Sequence, residues 1–293
     1  MSCHDPRKPA GAVERFTFDS RGLTLVGDRR AGAASRPALV FLHGGGQTRH
    51  SWDRTAAQLA TAGWETFQLD ARGHGESDWD PAGDYGAAAF QRDLDAFLDY
   101  SGRPVVLIGA SLGGLTALAV AAERPDSVVG LVLVDVVVEF EPSGADRIRD
   151  FMVGNPDGFS SLEEVADAVA AYNPHRRRPP TVDGLRRNVK RGEDGRWRWH
   201  WDPAFASPSA DSRRRVDTER LGATAAARIR APTLLVRGMQ SDVVSDAGLA
   251  DMRRRIPSAE VIAVGDAGHM VVGDDNDIFT EALGGFLSRL DPT

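Results

Sequence analysis

The sequence predicts an α/β protein: a mainly parallel sheet with helices on both faces. Three observations carry this. Short, almost wholly apolar runs recur at Ala38–Leu42, Val105–Ile108 and Val128–Val138, as strands buried on both faces require. Stretches of helical spacing alternate with them. Glycine clusters follow the first two runs directly, where sheets of this kind place their ligand-binding loops.

The elements follow in order. Glu14–Phe18 and Leu23–Asp28 alternate polar and apolar residues around Arg21-Gly22 and read as a hairpin. After the Ala38–Leu42 strand, Ser51–Ala62 has helical spacing through Trp52, Ala56, Leu59 and Ala60 and stops at Gly63. Trp64–Leu69 is a strand. Tyr85–Tyr100 is a helix with Phe90, Leu94, Phe97 and Leu98 on one face. The Val105–Ile108 strand precedes an Ala- and Leu-rich helix, Leu112–Glu123, and Val128–Val138 is a further strand. From about Glu141 to Arg215 the texture changes: arginine clusters and prolines appear, with helical patches at Ala145–Met152 and Leu162–Ala171. The α/β rhythm then returns with strands at Thr233–Val236 and Ala259–Val264 and helices at Ala247–Arg255 and Ile278–Leu290. The expected division is a core over 1–139, a mostly helical insertion over 140–215 and the rest of the core over 216–293.

The 293 residues carry 35 Lys and Arg against 42 Asp and Glu, a net charge of −7, with 42% hydrophobic and 26% charged residues. That is ordinary for a globular protein, and it offers no general attraction to nucleic acid. The single cysteine, Cys3, cannot make an internal disulfide. No apolar run approaches the length of a membrane span, and the N-terminal residues lack the apolar stretch of a signal peptide, so the expected location is cytoplasmic and no membrane partner is expected.

Gly109-Ala110-Ser111-Leu112-Gly113 fits G-x-S-x-G between an apolar strand and a helix. A sharp strand-to-helix turn lifts the Ser111 hydroxyl above the sheet, and the flanking small residues prevent clashes. The Leu112 N–H, at the helix N-terminus, can stabilise a developing oxyanion. His43-Gly44-Gly45-Gly46 follows the Ala38–Leu42 strand. Gly45 is the first choice for a second oxyanion donor, Gly44 and Gly46 being the alternatives, while His43 pins the loop. In Asp70-Ala71-Arg72-Gly73-His74-Gly75 the glycines have the wrong spacing for a nucleotide site, and Arg72 and His74 read as loop-holding residues. No histidine or cysteine spacing indicates a metal site.

Together, a strand ending in His-Gly, an Arg-Gly-His-Gly-x-Ser segment and Gly-x-Ser-x-Gly-Gly resemble the α/β-hydrolase superfamily, in its branch with a cap inserted after the sixth strand. The resemblance implies an eight-stranded sheet and a triad in the order Ser, Asp, His. It places the acid at Asp242, after the Thr233–Val236 strand, and the base at His269, after the Ala259–Val264 strand. Asp135 is the competitor for the acid: it lies in an apolar run where a charge is costly unless functional or paired, and some members of the superfamily carry their acid on that strand. Otherwise it lines the pocket or anchors the cap hinge.

In the insertion, Trp197, Trp199 and Trp201 alternate with Arg198 and His200. If extended, the tryptophans share one face and form an aromatic wall over Ser111, or fasten the cap to the core, or both. The cap arginines read as a solvated surface, with attraction of an acidic substrate as the other reading. The expected function is a serine hydrolase acting on an ester-type acyl bond of a small, largely apolar molecule, with no cofactor and no metal. The alternatives are a carbon–carbon bond hydrolase or lyase, a cofactor-free perhydrolase resembling the non-haem haloperoxidases, and a hydrolase-fold ligand receptor.

Overall fold

The computed structural model describes residues 12–172, 181–265 and 277–290. Its main sheet has eight strands: β1 (Val13–Ser20), β2 (Leu23–Arg30), β3 (Ala38–Leu42), β4 (Thr66–Leu69), β5 (Val105–Ala110), β6 (Val128–Val134), β9 (Thr233–Gly238) and β10 (Glu260–Val264). They lie in the order β1-β2-β4-β3-β5-β6-β9-β10. β1 and β2 form the expected antiparallel hairpin, and β2 also pairs antiparallel with β4. Every pairing from β4 to β10 is parallel. The hairpin turn sits at Arg21 and Gly22, with φ of 53° and 88°, the left-handed pair that matches strand twist.

The central strands are apolar throughout because both faces are covered. In β3, Ala38, Val40 and Leu42 face one core cluster, while Leu39 and Phe41 face the other. The same alternation divides Val105 and Leu107 from Val106 and Ile108 in β5, as the period of two demands. The first cluster packs against α2 (Ala87–Ser101), α3 (Leu112–Glu123), α6 (Pro208–Ala226) and α7 (Asp246–Arg255). The second takes Ala56 and Leu59 of α1 (Asp53–Thr61) and Phe279, Leu283 and Phe286 of α8 (Asp277–Leu290). Each such fully buried side chain contributes about 1.5–3 kcal/mol.

β6 stops at Val134, four residues short of the apolar run that predicts it. Asp135 has φ of 48°, so the chain leaves the sheet there. Val136, Val137 and Val138 stay buried but pack on α3, α6 and α7 instead of a strand neighbour.

Between β6 and β9 lie α4 (Pro142–Val153), α5 (Leu162–Tyr172) and a two-stranded antiparallel hairpin of β7 (Val189–Arg191) and β8 (Trp197–Trp199). β8 falls on the alternating Trp197–Trp201 segment, which reads as extended in the sequence, whereas β7 has no apolar alternation to mark it. The expected cap boundary at 215 falls inside α6, a 19-residue helix. Met152, Phe159, Val165, Trp199, Trp201 and Phe205 of this segment form an apolar cluster together with Tyr85 and Phe90 of the core. No helix among the described residues is long and apolar enough to cross a membrane.

Candidate active site

Ser111 stands at the corner between β5 and α3 with φ of 46° and ψ of −116°. Such a backbone is costly for a residue with a Cβ and persists only where its surroundings enforce it. The enforcement is close packing. A Cβ on Gly109 would strike the backbone of Gly113, and one on Gly113 would strike the carbonyls of Leu42 and His43. α3 therefore lies directly against the ends of β5 and β3. Leu115 N–H donates to the Ser111 carbonyl at 2.9 Å, and the amides of Leu112, Gly113 and Gly114, in the first turn of the helix, have no intrahelical acceptors.

The loop after β3 faces this corner. A Cβ on Gly44 would lie 3.4 Å from the Ser111 Cβ. Its amides are not equivalent. Gly44 N–H donates to Gln47 Oε1 at 2.9 Å, and Gly46 N–H donates to His74 Nε2 at 3.1 Å. Among the described residues the Gly45 N–H makes no such bond. Gly44 is thereby a packing position beside the serine.

His43 pins the loop as expected. Its Nδ1 meets the Gly44 carbonyl at 2.8 Å, and its Nε2 accepts from Ala71 N–H at 3.0 Å. Burial pushes its pKa below the usual histidine value, against the pull of Asp70. Arg72 also holds its loop, through both oxygens of Asp93 at 2.6 Å each. Asp70 is buried and takes N–H bonds from Arg49 at 2.7 Å and Glu76 at 3.0 Å, besides an ion pair with the Arg49 guanidinium. Burial alone would raise the Asp70 carboxyl, but the Arg49 charge beside it holds it below its ordinary value.

Two carboxylates stand at the same rim. Asp135 follows Val134, the register partner of Ala110, so it sits one strand over from Ser111 at the same height. It is 1% exposed and accepts from Gly238 N–H at 3.0 Å and the Ser241 hydroxyl at 2.6 Å. Asp242 lies farther out: its side chain is 34% exposed and paired with Arg147 of α4 at 3.0 Å. His269 lies outside the described residues. Its chain position is five residues past Val264, which ends β10 beside Gly238 of β9.

The tryptophans divide. Trp199 and Trp201 stack at 4.8 Å, with 12° between their planes. Trp201 lies against Gly46, where a Cβ would meet its ring at 3.5 Å. Trp197, half-buried at the edge of the same apolar cluster, lies under the guanidinium groups of Arg186 and Arg191 at 5.2 and 5.8 Å. His200, on the opposite face of the strap, is 2% exposed and docked on the core. Motif reading misses three side chains here. Phe205 lies over Gly45 and Met152 over Gly46, where added Cβ atoms would meet them at 3.3 and 3.4 Å; Arg147 holds Asp242. The helical spacing of Ala145, Ile148 and Met152 carries a signal for the second, and nothing local marks the other two. Behind Leu112 and His43 lies an apolar cavity walled by Phe18, Leu25, Leu69, Phe90 and Leu94.

Residues 37–275 match the family model described as the alpha/beta hydrolase fold, and the chain belongs to that family. It is 32% identical over 269 residues to an esterase of Mycobacterium tuberculosis, covering 86% of this chain and 83% of that one. The solved structure of that esterase superimposes with a TM-score of 0.74, covering 96% of this chain and 93% of the other. A mouse sn-1-specific diacylglycerol lipase is 29% identical over 285 residues, 92% of this chain and 87% of its own. A 2-(acetamidomethylene)succinate hydrolase of Mesorhizobium japonicum is 28% identical over 257 residues, 86% of this chain and 88% of its own. A solved hydrolase with E-2-(acetamidomethylene)succinate as its named substrate has a TM-score of 0.79 and 25% identity, covering 94% of this chain and all of the other. With relatives of this kind over most of its length, the protein is a hydrolase.

Proposed function

We propose that the protein is a serine hydrolase that cleaves a carboxylic ester-type bond of a small, largely apolar substrate. The observation that carries this is Ser111 held at φ of 46°, with the Gly45 amide in the adjoining loop and the Leu112 amide at the start of α3 making no hydrogen bond among the described residues. Ser111 attacks the carbonyl carbon. His269 takes the hydroxyl proton and delivers it to the departing alcohol, and the two amides hold the oxyanion. A water deprotonated by His269 then releases the acyl group and restores Ser111.

For the acid that orients His269, the local geometry favours Asp135 over Asp242. Asp135 is buried at the height of Ser111, its carboxylate steadied by neutral donors, as an orienting acid needs. Asp242 is engaged by a cation and open to water. The apolar ceiling of Met152, Trp201 and Phe205 supports a small, apolar substrate.

Ser111→Ala is expected to lower kcat on p-nitrophenyl acetate by at least about 10⁴-fold and to abolish labelling by a fluorophosphonate. Turnover near the parent level in that variant sinks the mechanism. Names among the relatives also support the ester reading, since two of the three are an esterase and a lipase.

A further inference from the structure

Two histidines grip the loop that carries the Gly45 amide, and a third, from the segment between β6 and β9, stands beside them. Their rings form a row: His43 to His74 at 5.3 Å and His74 to His200 at 5.9 Å between centroids. All three are buried. Each ring accepts one backbone N–H: His43 Nε2 from Ala71, His74 Nε2 from Gly46 and His200 Nδ1 from Gly75 at 2.7 Å. An accepting nitrogen carries no proton, so the proton of each neutral ring sits on the other nitrogen. His43 therefore donates from Nδ1 to the Gly44 carbonyl at 2.8 Å. His74 donates from Nδ1 to the Arg72 carbonyl at 3.0 Å. His200 is left with its Nε2–H, which is buried and makes no hydrogen bond among the described residues. Gly46 lies beside that ring: its N–H is held by the neighbouring His74, and a Cβ on it would meet the ring of Trp201, the next residue after His200, at 3.5 Å; its carbonyl is the backbone acceptor there.

These contacts fall on three successive peptides. His43 holds the Gly44–Gly45 peptide, whose own N–H is the proposed oxyanion donor, and a hydrogen bond to the carbonyl of a peptide polarises its N–H. His74 holds the Gly45–Gly46 peptide. His200 stands ready for the Gly46–Gln47 peptide. Its position is fixed by the strap around it: Asp202 N–H donates to the Gly73 carbonyl at 2.8 Å, and the Tyr85 hydroxyl donates to Asp202.

Resting on the reading of Gly45 as oxyanion donor, we propose that His43, His74 and His200 act together as positioning residues of the oxyanion loop. His200 closes its Nε2–H bond to the Gly46 carbonyl when the oxyanion forms. Its place on the strap makes the hole complete only when the strap is docked. Hydrogen bonds of this sort are commonly long before substrate arrives and tighten in the reacting complex.

Two substitutions separate the ends of the ring. In His200→Asn the side-chain oxygen replaces Nδ1 and accepts from Gly75, but the Nε2–H is lost. In His200→Gln the amide nitrogen occupies the Nε2 place and reaches Gly46. The expected kcat, per site titrated with fluorophosphonate, falls about 10–100-fold in the Asn variant with KM within about threefold. The Gln variant stays within about threefold of the parent. Affinity for a trifluoromethyl ketone, whose oxyanion occupies the hole, should fall in step with kcat/KM in the Asn variant. Equal kcat in the two variants, whether both at the parent level or both reduced, overturns the proposal. If neither variant folds, the parent decides: the His200 Nε2–H proton resonance should move downfield when the ketone binds, and an unmoved resonance overturns it. Ser111→Ala tests the underlying hydrolase reading separately, since its outcome does not depend on His200.

Discussion

Ser111 and Asp135 share an uncommon property. Apart from Arg21 in the hairpin turn, they are the described non-glycine residues with positive φ, at 46° and 48°. Both stand at the carboxyl ends of neighbouring strands, where strain is expected at a working site. This coincidence makes the two acids distinguishable by experiment. Asp135→Asn is expected to lower kcat about 10³–10⁴-fold, while Asp242→Asn costs less than about tenfold and mainly frees Arg147. A larger loss in the Asp242 variant reverses the assignment. Ser111 is legible in the sequence because its geometry is enforced by glycines within five residues of it. The choice of acid is not, because burial of Asp135 and pairing of Asp242 depend on Gly238, Ser241 and Arg147, far away along the chain. Gly113→Ala tests the enforcement itself. Its new methyl group meets the Leu42 and His43 backbone, and overpacking of this kind costs about 1–3 kcal/mol. Chemical denaturation should show that loss together with reduced turnover, and an unchanged midpoint contradicts the packing argument.

α4 acts as a roof beam. At its N-terminal end a Cβ on Gly144 would strike the Asp242 carbonyl, and at its C-terminal end Met152 rests on Gly46. Those eight steps span about 12 Å, from the loop after β9 to the loop after β3, and the ends of β5 and β6 lie between them. Its inward residues, Ile148, Phe151 and Met152, continue the apolar surface of Trp199, Trp201 and Phe205. If the proposed substrate binds beneath it, this ceiling sets the chain length accepted. Met152→Ala should raise the kcat/KM of p-nitrophenyl octanoate relative to the acetate by at least about tenfold, the low end for a single methylene in an apolar pocket. An unchanged ratio rules out Met152 as a limit. The helix is visible in the sequence as an apolar stripe, but which loops it touches is decided by the turn at Asp135 that redirects the chain.

The molecule as a whole has an acid-sensitive centre. Burial holds His43 below its ordinary pKa; burial, with the neighbouring His43 and His200, holds His74 well below it; burial, with His43, pushes His200 down to about 3. Asp70 and the Gly46 carbonyl oppose the shift at His200, and Lys190 adds to it. All three rings are neutral when folded and take up protons near pH 6.5 when unfolded. The unfolded chain therefore binds more protons below that pH, so stability is full above about 6.5 and falls as pH drops toward the folded values. Each histidine contributes up to about 1.4 kcal/mol per pH unit. Urea midpoints should fall steadily from pH 7 to pH 5, and a flat profile excludes the neutral row.

The periods of the strands, the serine corner and the glycine loop follow from local rules: pleat alternation, backbone sterics and helix ends each act over a few residues. The family is legible for that reason. Three things wait for the tertiary structure: the Gly45 amide left over once Gln47 and His74 have taken its neighbours, the burial that separates Asp135 from Asp242, and the docking of His200 onto Gly75. Each depends on desolvation and pairing between segments up to 125 residues apart, and a linear pattern carries no information about which distant groups exclude water from one another.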